Sequence, residues 1–423
     1  MEQTLHIAIL SLHSCPYIVP GGRYTGGMNI YIRNLARELS NRGHSVDIYT
    51  CSPDNCSQCG KGDLGKNIRL MHVDNIDYNL VTEATLENNI ERITNSILLN
   101  APHYDVIYSH YWFSGLVGAR LKVAWQVPHF TMFHTLGLLK NRVGLGELEP
   151  AYRIAGEMSV AQSADHIIAS TPGEKQELVS RYKVSAGKIT VIPCGINNEL
   201  FRPVDKLYAK ATTGLGPRKA ILFVGRQDPL KGLDNILEAI SLLDHRGDFQ
   251  LVVIGDNSQY LDPIQMDLAI QPPGATNRNI VFIGSVPHKD MYLYYNAADF
   301  CVIPSYYESF SLVAMESLAC GTPILATAVG EISDLAAICG SCRIIEDNSP
   351  ASLARHMAAM LDSTGRKKAD GISNLLYNYS WSSITSRLLR EFNKAVASNC
   401  LSDQADHFSA RSPITGSLNF SPL

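Results

Sequence analysis

The chain has 423 residues, 45% of them hydrophobic and 18% charged, with 31 glycines. That length exceeds a single hydrophobic core and suggests two globular units of α/β character. A net charge of −4 leaves no surplus of Lys and Arg, which argues against nucleic acid or a strongly anionic membrane as the main partner and for a small-molecule substrate.

In chain order, the apolar run Leu5–Leu12 opens into the loop SCPYIVPGGRYTGG and then a helix from about Met28 to Asn41, with Ile30, Leu35 and Leu39 on one face. Short apolar runs follow at Ser45–Cys51, Ile68–Val73, Val106–Ser109, Phe130–His134, His166–Ser170 and Ile189–Pro193. Amphipathic segments at Glu83–Leu99, Tyr152–Ser163 and Gly173–Tyr182 separate them. Strands alternating with helices of this length call for a parallel sheet covered on both faces, a Rossmann-like domain over residues 1–203. Around Arg202–Arg218 the periodicity lapses into a polar stretch with Pro203, Gly214, Gly216 and Pro217, which reads as a domain boundary. The rhythm restarts in a second unit, 218–380, with strands at Ala220–Val224, Gln250–Ile254, Ile280–Ile283 and Phe300–Ile303 and helices at Leu233–Leu243 and Asp290–Ala297. After Ile344 come three helical patterns, the last at about Ser383–Val396. Residues 381–398 are expected to form a helix packing back on the first domain, and 399–423, rich in Ser, Asn and Pro, a disordered tail. The fold class is therefore α/β, two doubly wound domains facing each other across a cleft, where the ligands of open α/β sheets bind.

No apolar run approaches the roughly 18 residues of a spanning helix, and MEQTLHIAILSL lacks a basic n-region and cleavage site, so a cytoplasmic location is expected. Peripheral membrane contact and a homodimer are both compatible with this reading. Of the ten cysteines, Cys301 and Cys320 lie in apolar runs and read as buried small hydrophobes. The pairs Cys56/Cys59 and Cys339/Cys342 have metal-ligand spacing but no nearby His, and free thiols are expected there.

The stretch from Pro304 to Leu335, PSYYESFSLVAMESLACGTPILATAVGEISDL, organises the chemistry. It places Glu308 and Glu316 eight positions apart around a helix read at Ser311–Ala319. At about 100° per residue both carboxylates face one way, and Ser309 or Ser311 as N-cap turns free N–H groups to the same opening. This suits the pyrophosphate, ribose and sugar of a nucleotide-sugar; a solvated pair on a surface helix is the plain alternative. In the first domain Gly26 and Gly27 precede a helix, where backbone can approach an anion closely or merely turn. The loop VGRQDPLKG presents Arg226 and Lys231, a fork-shaped and a compact cation fit to clamp a diphosphate, or surface charges on a turn. His134 closes a buried strand at the cleft lip, or is a satisfied core histidine. Tyr111, Thr135 and Arg153 together suit a phosphate or a polyhydroxylated acceptor.

The segments GGMNIYIRNLARELSNRGHSVDIYT, YDVIYSHYWFSGLVGARL, FHTLGLLKN, ILFVGRQDPLKG and PSYYESFSLVAMESLACGTP resemble the retaining GT-B glycosyltransferases of family 4, over nearly everything from Ile7 to about Val396. The likeness is strongest to the inositol-phosphate N-acetylglucosaminyltransferases of mycothiol synthesis, with sucrose-phosphate synthases close by. The resemblance implies that Arg226 and Lys231 hold the donor diphosphate, with Gly27 and Asn29 contributing from the first domain. Glu316 would bind the ribose, and Glu308 the donor sugar. Backbone near Phe310, Ser311 and Leu312 completes those contacts, and His134 lies beside the donor sugar. Tyr111, Thr135 and Arg153 fall to the acceptor. It implies a UDP-sugar donor, a small hydroxylated acceptor with or without a phosphate, no required cofactor and no metal, in keeping with the lack of an Asp-x-Asp. Two departures touch the acceptor. NLVTEATLENN lacks the Lys that precedes a Glu-Glu-Leu run in the mycothiol enzymes, and Arg23 stands where the family often carries an acid. Sucrose-phosphate-synthase-like transfer, a nucleotide-sugar epimerase and a silent nucleotide-sugar binder are the other readings.

Overall fold

The structure is a computed structural model that describes residues 3–17, 26–51, 64–73, 81–226, 228–243, 245–255, 279–363 and 377–409, the side chains of 401–409 excepted. Arg23 and the pair Cys56/Cys59 lie outside the described residues. The first half runs β1 (His6–Leu10), α1 (Gly27–Asn41), β2 (Ser45–Thr50), β3 (Ile68–His72), α2 (Glu83–Asn100), β4 (Val106–His110), α3 (Trp112–Trp125), β5 (His129–Met132), α4 (Gly137–Val143), α5 (Ala151–Ser163), β6 (His166–Ala169), α6 (Pro172–Ser180) and β7 (Ile189–Val191). The second runs α7 (Lys206–Thr213), β8 (Lys219–Val224), α8 (Leu233–Leu242), β9 (Phe249–Ile254), β10 (Ile280–Gly284), α9 (Met291–Ala297), β11 (Phe300–Ile303), α10 (Leu312–Ala319), β12 (Ile324–Thr327), α11 (Ile332–Ile338), β13 (Cys342–Ile345), α12 (Pro350–Asp362) and α13 (Trp381–Ser409).

The strands form two sheets, ordered β3-β2-β1-β4-β5-β6-β7 and β10-β9-β8-β11-β12-β13, and every described pairing within them is parallel. Each sheet therefore has a point where strand order reverses, between β1 and β4 and between β8 and β11. The loops that leave those strands diverge and open a crevice at their carboxyl ends. Central strands such as β4 and β9 are buried along their whole length, which is why they read as unbroken apolar runs. On the edge strand β3 Arg69 and His72 are exposed, and Arg69 pairs with Asp47 of β2.

The sequence reading had no α4, α11 or β13, and three further elements depart from it. The first half of α3 shows no helical periodicity because Trp112–Gly115, Val117 and Gly118 are buried on several sides against the sheet and α5, while Val123 and Ala124 near its end are exposed. Glycine makes that packing possible, since a Cβ at Gly156 would lie 2.5 Å from the Trp112 ring and one at Gly115 2.5 Å from Val160. The stretch read as a boundary holds α7, a short surface helix capped by Asp205, which accepts from Tyr208 N. It buries little, so its apolar pattern is weak, yet it is tied to the second sheet through the Lys206–Asp299 ion pair, and the Asn296 side chain fixes the adjoining Arg202–Val204 backbone. Finally, the C-terminal helix continues to Ser409, so 399–409 is helix rather than tail, and Asn399 itself donates to Gln126 O at 2.8 Å. The helix α13 lies on the first domain. Arg42 donates to Ser382 O and Ser386 Oγ, Phe392 sits edge-on to Phe130 at 4.7 Å, and Ile196 N donates to Tyr379 O at 2.7 Å. Cys301, Cys320, Cys339 and Cys342 are free thiols, the first three buried.

Candidate active site

On the second domain the loop after β8 is shaped by Asp228, whose carboxylate accepts from Leu230 N at 3.0 Å while its carbonyl accepts from Lys231 N. This tight turn throws Lys231 back over the crevice, where its Nζ lies 2.8 Å from Glu308 Oε1. Ser305 Oγ donates to the same oxygen at 2.8 Å. Arg226 stands at the mouth, more than half exposed, 3.8 Å from Asp228. Gly232, at φ +69°, closes the turn so near the β11 loop that a Cβ would sit 2.4 Å from the Pro304 carbonyl oxygen. Gly232→Ala is accordingly expected to cost at least about 1–3 kcal/mol, read as a lower denaturation midpoint; an unchanged midpoint would refute the close approach.

The helix α10 begins at Leu312, so Glu308 precedes it on the loop and the helical spacing argument does not apply to that residue. Neither serine caps the helix with its side chain. Ser311 takes a left-handed conformation, φ +91°, and its buried hydroxyl has no hydrogen-bond partner among the described residues. Its position leaves the first N–H groups of α10 facing the cleft. Glu316 is buried, with Oε1 2.7 Å from His288 Nε2 and Oε2 accepting from Tyr295 OH at 2.8 Å. A carboxylate oxygen has a second lone pair, so both can still accept from a ligand hydroxyl. Phe310 is buried and its carbonyl accepts from Glu331 N.

The first domain meets this loop directly. A Cβ at Gly27 would lie 3.1 Å from Leu312 Cδ1, so the N-termini of α1 and α10 are brought together. Asn29 does not face the cleft; it is buried and its amide donates to Ser14 Oγ and Cys15 O, fixing the segment that follows β1. His134 closes β5 at φ +61°, its Nε2 2.9 Å from His110 Nδ1. Burial, with His13 nearby, lowers its pKa to about 3, which makes it a neutral ring at physiological pH. Arg153, Thr135 and Tyr111 form one cluster: the guanidinium donates to Thr135 Oγ1 at 3.0 Å and lies 4.8 Å above the Tyr111 ring. It is already ion-paired with Glu149 at 2.6 Å and Glu157 at 2.9 Å. Burial raises Glu157 despite those bonds, while for Glu149 the cations Arg153 and Lys140 outweigh burial and hold it low. Among the described residues five non-glycines have positive φ, and three of them, Tyr111, His134 and Ser311, stand around this crevice. Such strain persists where surrounding structure imposes it, most often at functional sites.

Two bonds join the domains here: Leu136 N donates to Tyr307 OH at 3.0 Å, and Ser170 Oγ lies 3.0 Å from Ser309 O. Beside them is a pocket of about 120 Å³ lined by Leu139, Thr171, Glu174, Tyr307, Glu308 and Ser309 among others. The sequence reading passed over Ser170, Glu174 and Tyr307. Ser170 and Glu174 lie in STPGE, whose Thr-Pro start signals a helix N-terminus right after a strand, the place from which a cleft is lined.

Residues 25–200 match the family described as Glycosyltransferase Family 4, and 218–363 match Glycosyl transferases group 1. A D-inositol 3-phosphate glycosyltransferase 2 of Catenulispora acidiphila is 35% identical over 85% of this chain and 87% of its own. The chain belongs to glycosyltransferase family 4. As a glycosyltransferase it has the GT-B fold, and its structure resembles sucrose-phosphate synthase from Thermosynechococcus elongatus, with a TM-score of 0.82, 26% identity and coverage of 93% of this chain and 100% of that one. Anabaena HepE, solved in complex with UDP and glucose, shares the fold at a TM-score of 0.70 and 15% identity, covering 92% and 99% of the two chains. Among the described residues no helix of this glycosyltransferase is long and apolar enough to cross a membrane.

Proposed function

We propose that this glycosyltransferase moves a hexosyl or N-acetylhexosaminyl group from a UDP-sugar to a small hydroxylated acceptor that carries a phosphate, with retention at the anomeric carbon and without a metal ion. The observation that carries the donor half is the apposition of two helix N-termini at Gly27 and Leu312, with Lys231 held against Glu308 of the loop that leads into the second and Arg226 exposed on the loop after β8. Partial positive charge and free N–H groups converge there with two cations, the arrangement that neutralises a leaving diphosphate. Glu316 accepts from the ribose hydroxyls and Glu308 from the sugar. Tyr111, Thr135 and Arg153 line the acceptor side. The printed names of its relatives support this reading, since D-inositol 3-phosphate glycosyltransferase and sucrose-phosphate synthase each pair a polyhydroxylated partner with phosphate, and HepE was solved with UDP.

Retention fits front-face displacement, in which the departing phosphate oxygen takes the acceptor proton as the new glycosidic bond forms. No side chain then acts as nucleophile, and the protein contributes position and charge. The neutral His134 offers a hydrogen bond beside the sugar rather than a charge. An epimerase would need acid and base groups in line on opposite sides of the sugar, and beside His134 no second such group stands out among the described residues of the cleft.

Calorimetric titration with UDP, GDP and ADP tests the donor half. UDP is expected to bind tightest; absence of binding by all three sinks the reading. Acceptors are then screened with UDP-sugars, inositol phosphates against fructose phosphates, and the anomeric configuration of the product is read by NMR. An inverted product would remove the retaining mechanism.

A further inference from the structure

One hydroxyl in the closed cleft has two claimants. Ser170, at the end of β6 and 2% exposed, places its Oγ 2.6 Å from Glu174 Oε2 and 3.0 Å from the carbonyl oxygen of Ser309 on the other domain. Its backbone N also donates to Glu174 Oε2, at 2.7 Å. Glu174 sits in the first turn of α6, 7% exposed, and its Oε1 is buried with no partner among the described residues.

A serine hydroxyl carries a single hydrogen. Were Glu174 ionised, that hydrogen would go to the carboxylate, because a charge-assisted bond is about twice as strong as a neutral one. The Ser309 carbonyl would then face only an oxygen lone pair. With a proton on Oε2, the carboxyl instead donates to Ser170 Oγ, and the serine hydrogen is left to bond Ser309 O. That arrangement satisfies every contact, and it leaves Oε1 as a neutral carbonyl oxygen, far cheaper to bury unpaired than half of a carboxylate.

We propose that Glu174 is a positioning residue whose protonated carboxyl turns the Ser170 hydroxyl onto Ser309, latching the donor loop across the closed cleft, so that closure takes up a proton. This rests on the reading of Glu308–Leu312 as the donor loop. Ser309 lies between Glu308 and the strained Ser311, and a bond to its carbonyl fixes both.

The surroundings agree. Burial, outweighing the bonds from Ser170, raises Glu174 above the usual carboxylate range. From β4, the segment after β7 and the donor loop it is faced by Tyr108, Cys194 and Tyr307, each kept neutral because burial pushes its own titration up. The charged neighbours on the pocket are Glu177 of its own helix, paired with Arg181, and Glu308, paired with Lys231. Lys175, also on α6, turns away to Ile189 O.

The test is UDP affinity against pH for wild type, Glu174→Gln and Ser170→Ala. Because Ser170 N–H points at the Oε2 position, a glutamine places its carbonyl oxygen there and its NH2 at the Oε1 position. That oxygen takes the serine hydrogen as the ionised acid does, at every pH, which fixes the unlatched state; Ser170→Ala lacks the latch altogether. Below the titration of Glu174 the wild type should bind about threefold to tenfold more tightly than either variant, the worth of one hydrogen bond. Above it the three should converge, the titration of UDP itself being common to all. The wild type should also show the infrared C=O stretch of a protonated carboxyl that Glu174→Gln lacks. A wild-type to variant ratio that does not change with pH, or no such difference band, overturns the inference while leaving the donor site standing. Failure of the wild type to bind UDP at any pH overturns the donor reading instead.

Discussion

Replacing Lys231 with alanine is expected to lower turnover at least tenfold, a barrier increase of about 1.4 kcal/mol or more, and up to about a thousandfold. Two effects add. The diphosphate loses the cation that neutralises it as it leaves, and Glu308, now 2.8 Å from Lys231 Nζ, keeps its charge beside an anion with nothing to offset it. Lys231→Ala combined with Glu308→Gln should therefore lose less than the single change, because the repulsion is gone. The measurement is UDP release from the donor sugar with a competent acceptor, alongside UDP affinity. Near-normal turnover of Lys231→Ala would remove the clamp from the mechanism.

The second large effect is structural. Arg153→Met is expected to destabilise the protein by about 3–5 kcal/mol, the usual cost of removing one partner from a buried ion pair. Arg153 is 4% exposed, and its guanidinium ties Glu149, Glu157 and Thr135 together. Without it the Glu157 carboxylate keeps Gly137 N and Tyr182 OH as donors but loses its only buried cation among the described residues. A denaturation midpoint equal to that of the wild type would show the network to be dispensable. Because this loss would mask any effect on the acceptor, Thr135→Val is the cleaner probe of acceptor use: it keeps the shape, removes one hydroxyl and should raise the acceptor KM while UDP affinity stays the same.

The acceptor side also shows where reading a sequence stops. Arg153, Thr135 and Tyr111 are legible as residue types that suit a phosphate, and the structure does gather them. That the arginine is already held by two acids could not be read from spacing alone, since Glu149 and Glu157 flank it at four residues each way on a segment whose burial was unknown. Asn29 misled for the same reason: a polar residue in the first turn of a cleft helix can turn outward to a ligand or inward to Ser14, and only packing decides. Glu308 and Glu316 were found by their motif, but the helical geometry used to join them fails because the chain turns left-handed at Ser311 before α10 starts.

The sequence by itself determined the α/β class, the repeated strand–helix units and the loops rich in Gly, Arg, Lys and Glu that follow central strands, because periodicity and turn chemistry are local and survive without coordinates. It could not register α3, whose first turns are buried on several faces and so lose periodicity, nor α7, whose Leu207 and Tyr208 are exposed while Ala209 and Lys210 are buried, so that its apolar residues do not mark the packed face. The tertiary structure alone decided which helix N-termini meet, which carboxylates are already paired and how Ser170 reaches Ser309. The helix N-termini and the Ser170–Ser309 bond join residues more than a hundred positions apart, the carboxylate pairs depend on burial that spacing does not show, and all are set by how the elements pack, a geometry that no local pattern carries.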